Sequence, residues 1–491
     1  MSVNGTIFGN PIPKRSLKNA EKAFKKYAKK FKFDPMNYPK LTSVPMPQAF
    51  DEFGIYKVVK DEPGLENTKP IVANNSIMIG TIRMGFGHYR MALAIASAAK
   101  HAGLTPYWLD LMSFPDSAGS KTIQYLENLY NIGSRLSQKL KLFDKWIWEP
   151  ITSQVAKGLA YTARDRALAR LFEPNLRDLP KDIPFISSHP WTGHAAVHAG
   201  LKSVVAIIPD NYALAFHLVE GAGHTVQTGS LYMGYRTLRD MGGGEELYHT
   251  IPQNDIRYVG HYVDHEIVSN INADCEARLA RLRDKKTRRF LLTMGGAGAQ
   301  AKRFADIAKF CKSAIDSKKL ALFINMGDHA GRWAELKYEL DCSGIHYTMH
   351  TEWESTKAFI EEIRNDGAHG VHIFLHTSFF AAVYTTNLLM RVVDVMITKP
   401  SELAFYPVPK LFIQRVGKHE AWGAIHGSEI GDGTLETSSA ANLRQALRLL
   451  IEEDDLITLY CGNIIRNAQA GMYDGAYHAI EYALERLDQR K

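Results

Sequence analysis

The stretch IMIGTIRMGFGHYRMALAIASAAK, Ile77 to Lys100, decides how this chain is read. An apolar run (Ile77, Met78, Ile79) breaks at Gly80, turns through Gly85 and Gly87, and enters a helical period at Met91, Ala94, Ile95 and Ala98. That pattern is a strand, a tight loop and a helix. Glycines at such a loop let the backbone approach a ligand closely, while the first amides of the helix turn free N–H groups and partial positive charge into the same space. His88 stands at that mouth as a candidate acid or base, because an imidazole titrates near neutral pH. By spacing alone, G-x-G-H also suits a plain strand-to-helix turn.

Further along, the first half offers a strand over Pro106 to Leu111 containing Asp110, and a short strand at Phe185 and Ile186 that ends at His189. A buried strand over Val204 to Ile208 ends at Pro209 and Asp210, and a last strand lies within Ile256 to Asp264. Polar residues just beyond the carboxyl ends of strands mark where open α/β sheets bind ligands. His88, His189, His194, Asp210 and His217 are therefore candidates for that rim.

The second half repeats the grammar. RRFLLTMGGAGAQ reads as a buried strand, Phe290 to Thr293, breaking into Gly295, Gly296 and Gly298, with a helix from about Lys302. Strands over Leu320 to Asn325 and Val392 to Ile397 follow, then Lys399-Pro400, a helix start at Ser401 with Glu402, and a strand over Lys410 to Gln414. The duplication predicts an α/β fold of two Rossmann-like domains, 74–264 and 265–491, facing across a cleft into which both glycine loops point. A basic N-terminal extension, 1–73, precedes them, and the polar stretch His265 to Arg288 is the expected hinge.

At 491 residues the chain has length for two to three domains. Its formal net charge of +7 suits an anionic partner. Cys275, Cys311, Cys342 and Cys461 stand far apart, with neither metal-ligand spacing nor a disulfide framework, which points to a reducing compartment. No apolar leader follows Met1, and the most apolar segment, Phe374 to Met390, holds enough polar residues to read as a buried helix. The expectation is a cytoplasmic protein whose membrane contact, if any, is peripheral.

Two segments bear on that contact. In the run Lys14 to Phe33, Leu17, Ala20, Phe24, Tyr27, Ala28 and Phe31 share one helical face and lysines fill the rest. Such a helix either lies in an interface, apolar face in lipid and lysines on anionic headgroups, or packs on its own domain with the lysines solvated. No nucleic-acid motif accompanies it. The insertion Met112 to Arg170 contains LKLFDKWIWEP, with Phe143, Trp146 and Trp148 beside lysines, which suits a headgroup region or a packed core.

Taken together and in order, these motifs over about Ser76 to Gly433 resemble the GT-B glycosyltransferases. The likeness is to the branch of monogalactosyldiacylglycerol synthase, processive diacylglycerol glucosyltransferases and the lipid-linked N-acetylglucosaminyl transferase of peptidoglycan synthesis. The loop Gly85, Gly87, His88 is similar to that family's N-terminal glycine loop, and Asp110 through Trp148 to His189-Pro190 to its acceptor-side insertion. LLTMGGAGAQ and DVMITKPSELAFYPVPKLFI are similar to its donor-side loop and donor-binding strand, helix and strand.

The resemblance implies inverting transfer of a hexose from a UDP-sugar to a membrane lipid hydroxyl, in diacylglycerol-type glycolipid synthesis, with no cofactor, no catalytic metal and no nucleic acid. In that scheme His88 or Asp210 takes the proton, His88 being favoured. Gly295, Gly296 and Gly298 hold the diphosphate, Lys399 offsets its charge, Glu402 meets the ribose hydroxyls, and Ser401, His419 and Glu420 complete the donor side. Arg83 and Arg90 would steer an anion or stay solvated, and Gly85, Gly87, Arg83, His189 and Trp148 form the acceptor side.

The departures are local. Lys399-Pro400 joins Ser401-Glu402 without the family's small-residue loop, and the donor-sugar motif appears as Gly417, Lys418, His419, Glu420 with Gly423 in an asparagine position. A UDP-N-acetylglucosamine 2-epimerase and a non-catalytic nucleotide-sugar or lipid-binding protein of the same fold are the alternatives.

Overall fold

The apolar run at Ile77 belongs to a strand, Ser76–Thr81, that is buried at every residue, as a strand covered on both faces must be. The computed structural model describes residues 5–46, 53–83, 85–126, 128, 158–242, 248–296, 298, 300–365, 367–415 and 417–490. The chain divides into two units, one of residues 1–84, 91–262 and 475–491, the other of 85–90 and 263–474.

The first unit contains β1 (Thr6–Ile7), β2 (Asn10–Pro11), β3 (Leu41–Pro45), β4 (Tyr56–Lys60), β5 (Ser76–Thr81), β6 (Thr105–Asp110), β7 (Phe185–Ser187), β8 (Val204–Ile207), β9 (Gly223–Val226) and β10 (Ile256–Tyr258). β1 and β2 form a small antiparallel pair. The others form an eight-stranded sheet in the order β10-β9-β8-β7-β5-β6-β4-β3. It is parallel throughout except at its edge, where β3 runs antiparallel to β4. In register, Ile79 lies between Trp108 and Ile186.

One sequence expectation is corrected here, and one open alternative is decided. Residues 1–73, expected as a basic extension preceding the first domain, belong to the first unit, because β3 and β4 complete its sheet and Val58 of β4 is fully buried. Only Val58 of the pattern YKVVK is buried, too short an apolar signal to be read from sequence. The amphipathic run forms α1 (Lys14–Lys30), but its apolar face is already occupied. Ala20 packs with Leu159, Ala163 and Ala167, and Tyr27 joins the core that includes Leu168 and Phe172. Arg170 lies 3.6 Å over the Phe24 ring. That face is therefore closed to lipid, while Lys18, Lys22, Lys25, Lys26, Lys29 and Lys30 remain exposed.

The second unit holds β11 (Arg288–Thr293), β12 (Leu320–Asn325), β13 (Tyr347–His350), β14 (Gly370–Phe374), β15 (Val395–Thr398) and β16 (Lys410–Phe412). They form one parallel sheet in the order β13-β14-β12-β11-β15-β16. The stretch expected as a hinge is instead part of this core. It forms the helix Ile271–Arg283, which buries Cys275, Arg278 and Leu282, with Arg278 donating to the carbonyls of Val393 (2.8 Å) and Met390 (2.6 Å).

The expected boundary at 491 also moves, because the helix Gly475–Asp488 belongs to the first unit. There Ser203 donates to the Ala483 carbonyl (2.6 Å), Tyr482 to the Asn254 carbonyl (2.6 Å), and Arg486 pairs with Asp255 (2.8 Å). Among the described residues no helix is long and apolar enough to cross a membrane. The segment around Phe380 instead forms the buried helix Phe379–Met390.

In the second unit His350 and His372 share a hydrogen bond, Nε2 to Nδ1 at 3.1 Å, beside Phe359 and Phe374. Burial pushes His350 and the nearby His376 down to about 4. A histidine held below its unfolded value of about 6.5 binds fewer protons in the folded state, so the stability it supports is lost as pH falls from 6.5 toward 4. Asp432, lifted by burial to about 6, works in the opposite sense between its ordinary 3.8 and 6. The histidine effect is therefore read as a difference between variants. The urea midpoint should be lower at pH 5 than at pH 7, and His350→Phe should narrow that gap.

Candidate functional site

In an open α/β sheet ligands bind where neighbouring strands send their following connections to opposite sides. In the second sheet β11 leads toward β12 and β15 toward β16, and β11 and β15 are neighbours. The chain leaves β11 at Thr293 into Gly295, Gly296 and Gly298, and leaves β15 at Thr398 into Lys399, Ser401 and Glu402. Gly295, Gly296, Gly298, Lys399, Ser401 and Glu402 thus follow the ends of two neighbouring strands.

Their contacts are close. Gly298 holds φ +62°, a conformation suited to glycine, ahead of the helix Ala301–Asp316. A Cβ on Gly295 would stand 3.0 Å from Lys399 Cε, so the lysine stem lies along the loop. The Lys399 ammonium donates to Glu420 Oε1, and Glu420 Oε2 accepts the Gly417 N–H at 3.1 Å. The second of these closes the turn Lys418–Glu420 that carries His419. Gly423 has a packing reason, since a Cβ there would lie 3.3 Å from Ala404 Cβ.

The helix expected from Ser401 is corrected to one 3-10 turn, Glu402–Phe405. Pro407 and Pro409 follow directly, and proline bars helical continuation.

The segment 85–90, the first turn of α2 (Phe86–His101), is grouped with this unit and completes the site. A Cβ on Gly296 would lie 2.7 Å from both Gly85 Cα and Phe86 N, and one on Gly87 would lie 3.1 Å from Glu402 Oε2. The two glycine loops are thus in backbone contact, with His88 half-buried on the turn between Gly87 and Tyr89. Phe86 fixes this turn against His329 (5.6 Å between ring centroids) and Phe379 (5.3 Å).

Arg90, expected to steer an anion or stay solvated, is 1 % exposed. Nη1 donates to Asn387 Oδ1, and Nε lies 3.6 Å from Glu402 Oε1. Asn387 and Tyr406 both donate to Asp264 Oδ2 at 2.9 Å, and burial pushes the Asp264 carboxyl up to about 7.

His329, Asn387, Asp264 and Tyr406 escaped sequence reasoning. His329 alone carried a signal, because MGDHAG follows β12 as another strand, glycine turn and helix. Its Nε2 lies 3.1 Å from the Gly295 carbonyl oxygen.

In the first sheet the switch falls between β5 and β7. His189, at the end of β7, accepts the Trp191 N–H on Nδ1 (3.2 Å) and caps the helix Pro190–His198 between the rings of Trp191 and Phe216. Asp210 lies 3.8 Å from His217 Nε2, and His217 Nδ1 meets the Tyr235 hydroxyl at 3.0 Å. His194 is buried, and desolvation drives its pKa well down, which makes it a core residue. Burial raises the Asp110 pKa, and its carboxylate accepts the Met112 N–H while the charge of exposed Arg83 lies nearby. Trp148, Phe143 and Trp146 lie outside the described residues. Among the described residues no group of three or more His, Cys, Asp or Glu is arranged to hold a metal.

Two family models match the chain, each described as a domain of unknown function: DUF6937 over residues 6–237 and DUF6938 over 251–484. No curated protein matches. Among solved structures, the chain is similar to UDP-GlcNAc 2-epimerase from Neisseria meningitidis bound to UDP-GlcNAc, at 13% identity and TM-score 0.44, over 84% of this chain and 100% of that one. It is similar to α,α-trehalose-phosphate synthase (UDP-forming) from Burkholderia vietnamiensis at 11% identity and TM-score 0.43, over 85% and 100%. A third similarity is to HepE from Anabaena in complex with UDP, at 10% identity and TM-score 0.39, over 84% and 100%.

The loop contact can be tested directly. Because backbone atoms cannot yield as a side chain can, Gly296→Ala should cost about 1–3 kcal/mol in urea unfolding. Gly331→Ala, in a helix and with nothing within 4 Å of its Cβ, should be neutral or stabilising by up to about 1 kcal/mol.

Proposed function

We propose that this chain is a glycosyltransferase that takes its sugar from a UDP-sugar held at the β11/β15 switch point. The observation that carries this reading is the convergence there of a glycine loop opening a helix, Lys399, and the carboxylate of Glu402 beside Gly87. The amides after Gly295 would hold the diphosphate and Glu402 the ribose hydroxyls. Lys399 would exchange its partner Glu420 for the diphosphate, which frees a Glu420 oxygen for a sugar hydroxyl. No metal is needed in this scheme, since lysine and amides supply the positive charge.

In the reaction the acceptor hydroxyl oxygen forms a bond to the anomeric carbon as the bond to the diphosphate oxygen breaks, and UDP leaves with that electron pair. His88 takes the hydroxyl proton, with Asp210 the second candidate. UDP should raise the melting temperature, by mass action on the folded state, and Glu402→Ala, which weakens UDP about tenfold, should reduce the rise. His88→Ala should lower turnover about 100-fold or more with little loss of UDP affinity. A UDP shift without transfer or hydrolysis of any sugar would favour a binding protein, and epimerised UDP-sugar without an acceptor would favour a 2-epimerase.

The acceptor in this reading is a membrane lipid hydroxyl, reached from the cytoplasmic face. What supports it is the exposed lysine row of α1, with six lysines between Lys18 and Lys30 on a helix whose other face is packed. Attachment is then electrostatic, worth about 1 kcal/mol per lysine near an anionic surface and weakened by salt. The chain should float with vesicles containing anionic lipid at low salt and be released at about 0.5 M salt, beyond the reach of screened charges. Replacing Lys22, Lys25 and Lys29 by Gln should release it at lower salt, whereas salt-resistant flotation would sink the electrostatic account.

A further inference from the structure

Burying a guanidinium is expensive unless its charge and its donors are met, so a 1 % exposed arginine beside a proposed ligand site calls for a reason. The environment of Arg90 supplies one. Its Nη1 is anchored on Asn387 Oδ1, and the amide nitrogen of Asn387 donates to Asp264 Oδ2 at 2.9 Å, which fixes which way that amide faces. Tyr406 donates to the same Asp264 oxygen (2.9 Å), and its ring centroid lies 5.9 Å from the guanidinium. Held on that side, Arg90 presents Nε at 3.6 Å to Glu402 Oε1. The other Glu402 oxygen lies against Gly87, and the side chain is 16 % exposed.

We propose that Arg90 is a positioning residue that holds the Glu402 carboxylate in the orientation needed to accept both ribose hydroxyls of the nucleotide. This rests on the reading of Glu402 given above. A carboxylate on a single 3-10 turn has little local structure to fix its rotamer. The buried cation supplies that constraint, and the anchoring of Asn387 by Asp264 keeps the cation from turning away. Arg90 does not touch the nucleotide and acts through Glu402 alone.

The distinguishing measurement is ribose discrimination, the ratio of affinities for UDP and 2′-deoxy-UDP by calorimetry. A hydrogen bond to a charged acceptor predicts that the parent prefers UDP by about tenfold or more. In Glu402→Gln and in Arg90→Met this ratio should fall toward one, while affinity for 2′-deoxy-UDP changes by no more than about threefold. The double variant should lose no more than either single one. Asn387→Ala, which leaves the arginine charge but removes its anchor, should lower the ratio part of the way and guards against Arg90→Met failing to fold.

Equal weakening of both nucleotides, or a parental ratio in Asn387→Ala and Arg90→Met, would overturn the role of Arg90 while leaving Glu402 in place. A parent that binds UDP without discriminating would remove Glu402 from the ribose and Arg90 with it. A parent that binds no UDP would remove the donor site itself.

Discussion

The site depends on one close approach, the backbone of Gly296 against the backbone of Gly85 and Phe86 at a distance that no Cβ tolerates. The segment 85–90 and the loop at Gly296, far apart in sequence, thereby come together. Everything around the contact follows from it. Phe86 is seated beside Gly327 and His329, and the turn carrying Gly87 is brought against Glu402. A side chain at Gly296 would push the loops apart and separate the helix-opening amides from the carboxylate. Gly296 is thus required by the meeting of the loops as much as by any ligand.

Beside this contact two cations already have acceptors. Lys399 is neutralised by Glu420, and Arg90 is shared between Asn387 and Glu402. An anionic ligand binding here must therefore exchange partners rather than find a waiting cation. The trade is favourable only for a ligand carrying several acceptors, because each displaced ion pair must be replaced in a partly dry crevice. A diphosphate joined to a ribose meets that demand, and a single phosphate meets it less well.

Strands buried on both faces were the most legible part of the sequence. Leu320–Asn325 is read residue for residue, and the strands at Ile77, Phe185, Val204 and Phe290 are displaced by at most two residues, because continuous apolar runs carry their own signal. β3, at the sheet edge, and β4 beside it were missed for the converse reason. β4 buries one residue in five, which leaves lysines at two positions of a five-residue strand. The candidate glycines, Lys399 and Glu402 could be singled out because they lie where strands end. Arg90, Asn387, Asp264 and Tyr406 form a network whose members are scattered over 264–406 and at position 90, and no local pattern marks a long-range hydrogen bond. Even Arg90 was read as a surface charge, since burial of an arginine is decided by partners that the local sequence does not show.

α1 shows how one pattern supports two physical outcomes. A strong apolar face opposite lysines satisfies the requirement of a membrane-surface helix and that of a helix packed on its own domain. What decides is whether protein already covers the apolar face. Here Ala20, Phe24 and Tyr27 are covered by the helix Leu159–Leu168 and its neighbours, so burying them in lipid would first cost the contacts they already make. Large apolar side chains removed from a core cost about 2–5 kcal/mol each, more than a lipid interface returns for the same area already out of water. The lysines carry no such cost, since they are solvated now and would stay solvated against headgroups. Any affinity of this helix for a membrane must then come from charge alone, which fixes its dependence on ionic strength and leaves the fold of the first unit unchanged on either side of the binding step.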